Sequence, residues 1–155
     1  MAKAWITMVA AVALSACSGD ELGADYGPPT CDGGGEPLIE IGAGGQLGFE
    51  PYAAGELVPV RTDGETIEVQ LWTSGLDTTG SMIVTIRTSI EGGESKDSTA
   101  NFTLVCNEDE GRGWLGAYPF LPDGFADGDI VTVVATATDG NDVSASGEVE
   151  VEIQL

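Results

Sequence analysis

The stretch that decides the fold is residues 130–153, IVTVVATATDGNDVSASGEVEVEI. Its second half, EVEVEI at 148–153, alternates glutamates with apolar residues, the period of a β-strand that has one buried face and one solvated face. Its first half places Val131, Val133 and Ala135 at alternate positions, with threonines on the opposite face. Residues 139–142, DGND, are typical of a tight turn, so the stretch predicts an antiparallel hairpin.

The same period recurs upstream, in residues 65–72 and 81–90, and Phe102, Leu104 and Cys106 share one strand face. Further strands are predicted near residues 38–41, 57–61 and 114–120, and no segment shows a helical apolar period of useful length. Seven or eight short strands over residues 33–155 predict one all-β domain, an antiparallel β-sandwich.

Residues 127–153 resemble the last two strands of bacterial immunoglobulin-like domains, in which an acidic turn precedes two alternating strands. The resemblance implies an immunoglobulin-like sandwich. The chain departs from that pattern because its penultimate strand has no tyrosine and no strand tryptophan is evidently paired with the cysteines. Residues 38–44, LIEIGAG, followed by FEP at 49–51, are also similar to uncharacterised lipoproteins of myxobacterial type, a resemblance that implies no activity.

The first seventeen residues have the features of an export signal. Lys3 is followed by an apolar run over residues 4–14, which would rise only about 16 Å as a helix and is too short to span a bilayer. Leu14-Ser15-Ala16-Cys17 then resembles the lipobox of bacterial lipoproteins. An ordinary signal peptide or an uncleaved tethered helix are the alternatives, and neither accounts for a cysteine at that position.

The lipobox resemblance implies cleavage of residues 1–16, a diacylglyceryl group on the Cys17 thiol, and usually acylation, such as palmitoylation, of the new amino terminus. Two or three chains give stable membrane attachment. Ser18 in the following position favours the outer membrane by the same resemblance. Residues 17–32, rich in Gly, Pro and acid, are predicted to be a flexible lipidated tether.

With Cys17 lipidated, Cys31 and Cys106 remain, and an even pair in an exported domain predicts a disulfide. In the chain-entropy model, a disulfide that closes the long loop from Cys31 to Cys106 stabilises the fold by about 4 kcal/mol. Two free thiols are the alternative.

The charge is strongly acidic, with 26 Asp and Glu against 5 Lys and Arg. Residues 1–16 contain Lys3 and no acid, so the chain from Cys17 has 26 acidic and 4 basic residues and a formal charge of −22. Such a surface disfavours nucleic acid and anionic lipid as partners and favours cations, cationic polymers or basic protein surfaces. It also keeps an exported domain soluble, which is the simpler interpretation.

The sequence lacks residues that most catalytic sites need, so we expect that the chain is not an enzyme and requires no cofactor. The chain has no His, which excludes Ser–His–Asp and Cys–His sites. A Ser–Lys pair would need Lys96, which lies in a loop-like acidic stretch, EGGESKDS at 91–98.

Calcium is the best chemical candidate, because acidic loops supply the oxygen ligands that it prefers. Besides residues 107–111, NEDEG, two loops carry the candidate ligands: Asp123, Asp127, Asp129, Asp139 and Asp142. The alternative is that these acids only form turns. Aromatic residues could stack on carbohydrate or fill the core, the candidates being Trp72, Trp114, Tyr118, Phe120 and Phe125.

The sequence thus predicts a non-enzymatic envelope lipoprotein whose domain has a structural or adhesive role, with an envelope protein or polysaccharide as partner. A calcium- or carbohydrate-binding module is the alternative.

Overall fold

A computed structural model describes residues 30–45 and 48–155, and in these residues the chain is all-β. The predicted signal, Cys17 and most of the predicted tether lie outside them. The strands are β1 (Leu38–Gly45), β2 (Gly48–Pro51), β3 (Glu56–Pro59), β4 (Val69–Ser74), β5 (Met82–Ile90), β6 (Ser95–Phe102), β7 (Val105–Asn107), β8 (Arg112–Ala117), β9 (Ile130–Thr138) and β10 (Ser144–Gln154). This part of the chain contains no helix that could cross a membrane.

The strands form two five-stranded sheets, ordered β2-β1-β4-β8-β7 and β3-β10-β9-β5-β6. All neighbours pair antiparallel except β3 and β10, which are parallel. In chain order, β1, β4, β5, β7, β8, β9 and β10 take the positions of the seven strands A to G of an immunoglobulin sandwich, in which A-B-E-D faces G-F-C. The predicted immunoglobulin-like sandwich is confirmed, with ten strands rather than seven or eight.

The core lies between the inner faces of the two sheets, where the alternating residues meet. Val131, Val133, Val151 and Ile153 of the β9–β10 hairpin are fully buried, and Val149 packs partly buried against them. The facing sheet contributes three further buried positions of the predicted pattern: Ile67, Val69 and Leu71. The predicted turn closes the hairpin through a 2.9 Å bond from the Asp139 N–H to the Val143 carbonyl.

Two segments differ from the sequence prediction, both at sheet edges. The end of the stretch predicted as a loop at 91–98 belongs to the edge strand β6, whose side chains are mostly exposed and therefore carry no apolar alternation. Residues 102–106 do not form one strand, because the chain leaves one sheet after Phe102 and enters the other at Val105. Leu104 is buried at this crossing.

Candidate functional site

The disulfide lies where the predicted tether meets the domain. Cys31 and Cys106 are bonded, with their Cα atoms 6.0 Å apart, as the sequence predicts. The Cys31 carbonyl accepts hydrogen bonds from the Thr78 N–H (2.8 Å) and the Thr78 hydroxyl (3.1 Å), and Asp32 forms a β-bridge with Asp77. This region, which we call the Cys31 end of the sandwich, is therefore fixed both to β7 and to the loop that joins β4 to β5.

Three of the proposed calcium ligands lie at the opposite, Leu155 end. Exposed Asp123 is paired with Lys96 (Oδ1–Nζ 2.6 Å). Asp127 accepts the backbone N–H of Leu155 (2.8 Å), and Asp129 accepts the N–H of Ala126 (2.7 Å). Each of these three carboxylates therefore already has a partner. Asp123 forms an ion pair, and Asp127 and Asp129 accept backbone N–H groups at the Leu155 end.

The other two proposed ligands lie at the Cys31 end. Asp139 is buried, with 5% of its surface exposed, and its Oδ1 accepts the N–H groups of Asn141 and Val143, both at 2.9 Å. Its Oδ2 accepts the N–H of Asp77 at 2.9 Å, so one carboxylate joins two loops. Asp142 is exposed and has a positive φ of 62°, a left-handed conformation that Asp tolerates in turns.

The nine residues of β9 separate these two groups by about 27 Å, so the five aspartates do not converge on one site. In the acidic loop that joins β7 to β8, the Asn107 side chain accepts the Asp109 N–H at 3.2 Å. Within residues 30–45 and 48–155, no three His, Cys, Asp or Glu side chains are grouped so that they could hold a metal ion. The geometry favours turn formation for these acids.

Asp63 and Tyr52 are two loop residues whose pKa values are shifted away from neutrality. The Thr66 hydroxyl and neighbouring backbone N–H groups lower the pKa of the exposed Asp63 carboxyl. Burial, together with the nearby Glu56 and Glu68 carboxylates, raises the pKa of Tyr52 to about 12, and its hydroxyl donates to the Glu68 carbonyl at 3.0 Å. General acid–base catalysts work best with a pKa near the operating pH. These two groups are therefore better suited to stabilising the loops through hydrogen bonds than to catalysis.

Aromatic side chains form a cluster on the outer surface of the first sheet, which we call the tryptophan face. Trp72 of β4 and Trp114 of β8 are cross-strand partners, and the Phe49 ring lies 5.4 Å from that of Trp72. The Arg112 guanidinium lies 5.9 Å from the Trp72 ring and is paired with Glu40 at 2.8 Å. Aromatic and polar groups are therefore combined on one sheet surface.

Three buried polar atoms of the tryptophan face have no hydrogen-bond partner among the described residues: Trp72 Nε1, Trp114 Nε1 and Gln70 Oε1. Gln70 and Trp72 are 6% and 4% exposed, although they occupy the strand face that the sequence assigns to water. No pattern in the sequence indicates that Phe49, Glu40 and Arg112 lie beside them. The only signal was the shared parity of Gln70 and Trp72, which places both on the outer face of β4.

The other proposed aromatic residues lie elsewhere. Tyr118 and Phe120 are about half exposed on the rim of a cleft of 620 Å³, and the Arg61 guanidinium lies 4.0 Å from the Tyr118 ring centre. Phe125 packs partly buried against the core. Residues 114–120 therefore contribute aromatic side chains to two surfaces: Trp114 to the tryptophan face, and Tyr118 and Phe120 to the rim of the cleft.

No protein-family model matches the chain, and no curated protein matches it.

Replacing Asp139 by Ala should lower the free energy of unfolding by about 2–3 kcal/mol, because three backbone N–H groups in two loops lose a charged, buried acceptor. Asp139→Asn keeps one oxygen for two of those donors and should lose less. Urea unfolding of residues 18–155 measures both. The control Asp142→Asn should stay within about 0.5 kcal/mol of the parent. An Asp139→Ala protein as stable as the parent would contradict the proposed structural role.

Proposed function

We propose that this chain is a lipid-anchored protein of the cell envelope, with lipid on Cys17, an acidic tether, and an immunoglobulin-like domain that has a structural or adhesive role. The observation that carries the proposal is the disulfide at the Cys31 end. It ties the first residues of the domain to β7, directly after the predicted tether. A domain held to a membrane through its amino terminus needs its first strand secured against the pull of the tether.

The arrangement of the two ends supports this role. The loops at the Cys31 end would face the anchor, whereas the Leu155 end would face away from it. Asp123, Asp127 and Asp129 and the hairpin loop after Ile90 lie at the Leu155 end. That end and the two sides of the sandwich are then available for contact with another envelope component.

The charge supports a protein or polysaccharide partner and does not favour nucleic acid. A formal charge of −22 on the chain from Cys17 repels phosphate backbones and anionic head groups, and so keeps the domain away from an anionic lipid surface. A non-enzymatic role fits the absence of His from the sequence.

Replacing Cys17 by Ser should abolish palmitate incorporation and leave residues 1–16 attached, because the lipidated thiol is the substrate for signal removal in the family that the lipobox resembles. Metabolic labelling and mass spectrometry of the expressed chain measure both effects. Ser18→Ala is the matched control and should be labelled and cleaved like the parent. Continued labelling of the Cys17→Ser chain would disprove the anchor, and so would removal of its residues 1–16.

As a second candidate function, we propose carbohydrate binding at the tryptophan face. These three polar atoms are enclosed, so a sugar reaches them only when a side chain of the tryptophan face moves aside. A sugar hydroxyl, which both accepts and donates hydrogen bonds, can then pair with an indole N–H and with Gln70 Oε1. An unpaired buried polar group costs about 1–3 kcal/mol, so such pairing would be favourable. Partly exposed Trp114 adds an aromatic surface.

The two tryptophans of residues 18–155 both lie on this face, so tryptophan fluorescence reports on it alone. Cellohexaose and chitohexaose should shift the emission of the parent if a neutral saccharide binds. Gln70→Leu should weaken binding about tenfold through loss of the amide acceptor, whereas Tyr118→Phe, outside the cluster, should not. No spectral change at millimolar saccharide would exclude this function.

A further inference from the structure

One side of the sandwich is open along half its length because β7 is short. β7 pairs with β8 only from Arg112 to Trp114, so within residues 30–45 and 48–155 no strand pairs with the outer edge of β8 from Leu115 to Ala117. On the facing sheet, β6 is the last of the described strands. In the described part of the chain, no strand covers either of these two sheet edges.

The 620 Å³ cleft lies between these two edges. Its floor is apolar, with Ile86, Phe102 and Ala117, and Phe120 stands on its rim. The space exists because the inner face of β6 carries small side chains, Ser98 and Ala100, at this level. Ala100 remains exposed although it points toward the interior of the sandwich. Such a volume accommodates one or two side chains from an incoming ligand.

The backbone of β6 directs unpaired groups outward at this edge. Ile90 N–H bonds the Glu94 carbonyl where the β5–β6 hairpin closes, and this fixes which residues of β6 are bonded to β5. By the alternation of antiparallel pairs, Ser98 and Ala100 bond to β5. The N–H and C=O groups of Asp97 and Thr99 consequently point away from the sheet, toward the cleft that both residues line.

The same reasoning applies to the edge of β8. Ile67 N–H bonds the Pro119 carbonyl, so alternate residues from Pro119 back to Leu115 face β4. The amide and carbonyl groups of Gly116 and Tyr118 then face the cleft, and no bond to them is found in the described part of the chain. Both walls of the cleft thus present backbone donors and acceptors.

We propose that this cleft binds an extended polypeptide segment of another protein, which pairs with the edge of β6 as a sixth strand and places an apolar side chain on the floor formed by Ile86 and Phe102. Unpaired backbone groups at a strand spacing match a polypeptide backbone, and strand addition with a pocket for alternate side chains is a common mode of peptide recognition. We assign the added strand to the edge of β6 and not to that of β8, because the eight residues of β6 offer the longer edge.

Charge indicates a basic segment. The chain from Cys17 carries a formal charge of −22. The three cations beside the cleft are each paired with a carboxylate: Arg87 with Asp97 at 2.6 Å, Lys96 with Asp123 at 2.6 Å, and Arg61, which lies over the Tyr118 ring, with Asp63 at 3.4 Å. The cleft is therefore locally neutral, and the excess negative charge of the surrounding surface favours a cationic segment. A second copy of the chain would bring the same negative charge and is disfavoured. The inference gives the adhesive role a partner chemistry and so rests on the proposed function. The test of this inference uses no lipid, so peptide binding at the cleft and the lipid anchor can each fail without affecting the test of the other.

The probe is the peptide acetyl-Lys-Val-Thr-Val-Lys-Val-Thr-Lys-amide, added to ¹⁵N-labelled residues 18–155 with the disulfide intact. This segment contains every described strand and the whole core. Hydrogen exchange at the amides of Asp97 and Thr99 should slow at least tenfold at saturating peptide. Thr99→Pro removes an outward N–H without breaking a bond to β5 and should weaken binding at least tenfold, whereas Thr99→Ala keeps the N–H and should stay within threefold.

Ala100→Phe fills the cleft from the exposed inner position and should also weaken binding at least tenfold, which keeps the test decisive if the proline variant fails to fold. Equal binding by the parent and both of these variants would overturn the proposal. So would the absence of binding at 1 mM peptide, or protection confined to other strands. Protection of Asp97 and Thr99 that grows with protein concentration in the absence of peptide would instead assign the edge to pairing between copies.

Discussion

The packing of the β9–β10 hairpin against the first sheet, where β1 is the strand closest to it, is the contact on which the rest of the structure depends. Val133, Val151 and Ile153 are completely buried, and Ile39 and Ile41 of β1 are buried in the same core. Fully burying a side chain of this size contributes about 1.5–3 kcal/mol. Because strand side chains alternate, a register shift of one residue would bring Glu150 and Glu152 into the core. The same contact therefore stabilises the sandwich and fixes its register.

The strands with one buried face could be predicted from the sequence, whereas the edge strands β2 and β6 could not. β5, β9 and β10 have alternating burial because each has neighbours on both sides and a core on one face. β6 is exposed along most of its length, so its polar sequence resembles a loop until pairing with β5 is considered. Burial of Gln70 on the outer face depends on residues distant in sequence, and no local pattern indicates it.

The predicted sites divide in the same way. The Cys31–Cys106 disulfide followed from the two cysteines that remain once Cys17 is assigned to lipid, and the structure contains it. The five aspartates looked alike in the sequence because turns and calcium loops use the same residues. Only the topology separates them, since the loops that carry them lie at opposite ends of β9. The open edge beside β8 depends on where β7 stops, which no motif marks.

We propose that the acidic residues form turns and a solvated surface, and that the core and the disulfide stabilise the domain without a bound metal. Thermal unfolding of residues 18–155 in calcium, in magnesium at equal ionic strength and in chelator tests this claim most directly. A calcium site filled to about 100 times its Kd would add about 2.7 kcal/mol, a rise of several degrees in Tm. We predict the same Tm in calcium and in magnesium. A Tm that rises by several degrees only in calcium would contradict the account and make the acidic loops ligands.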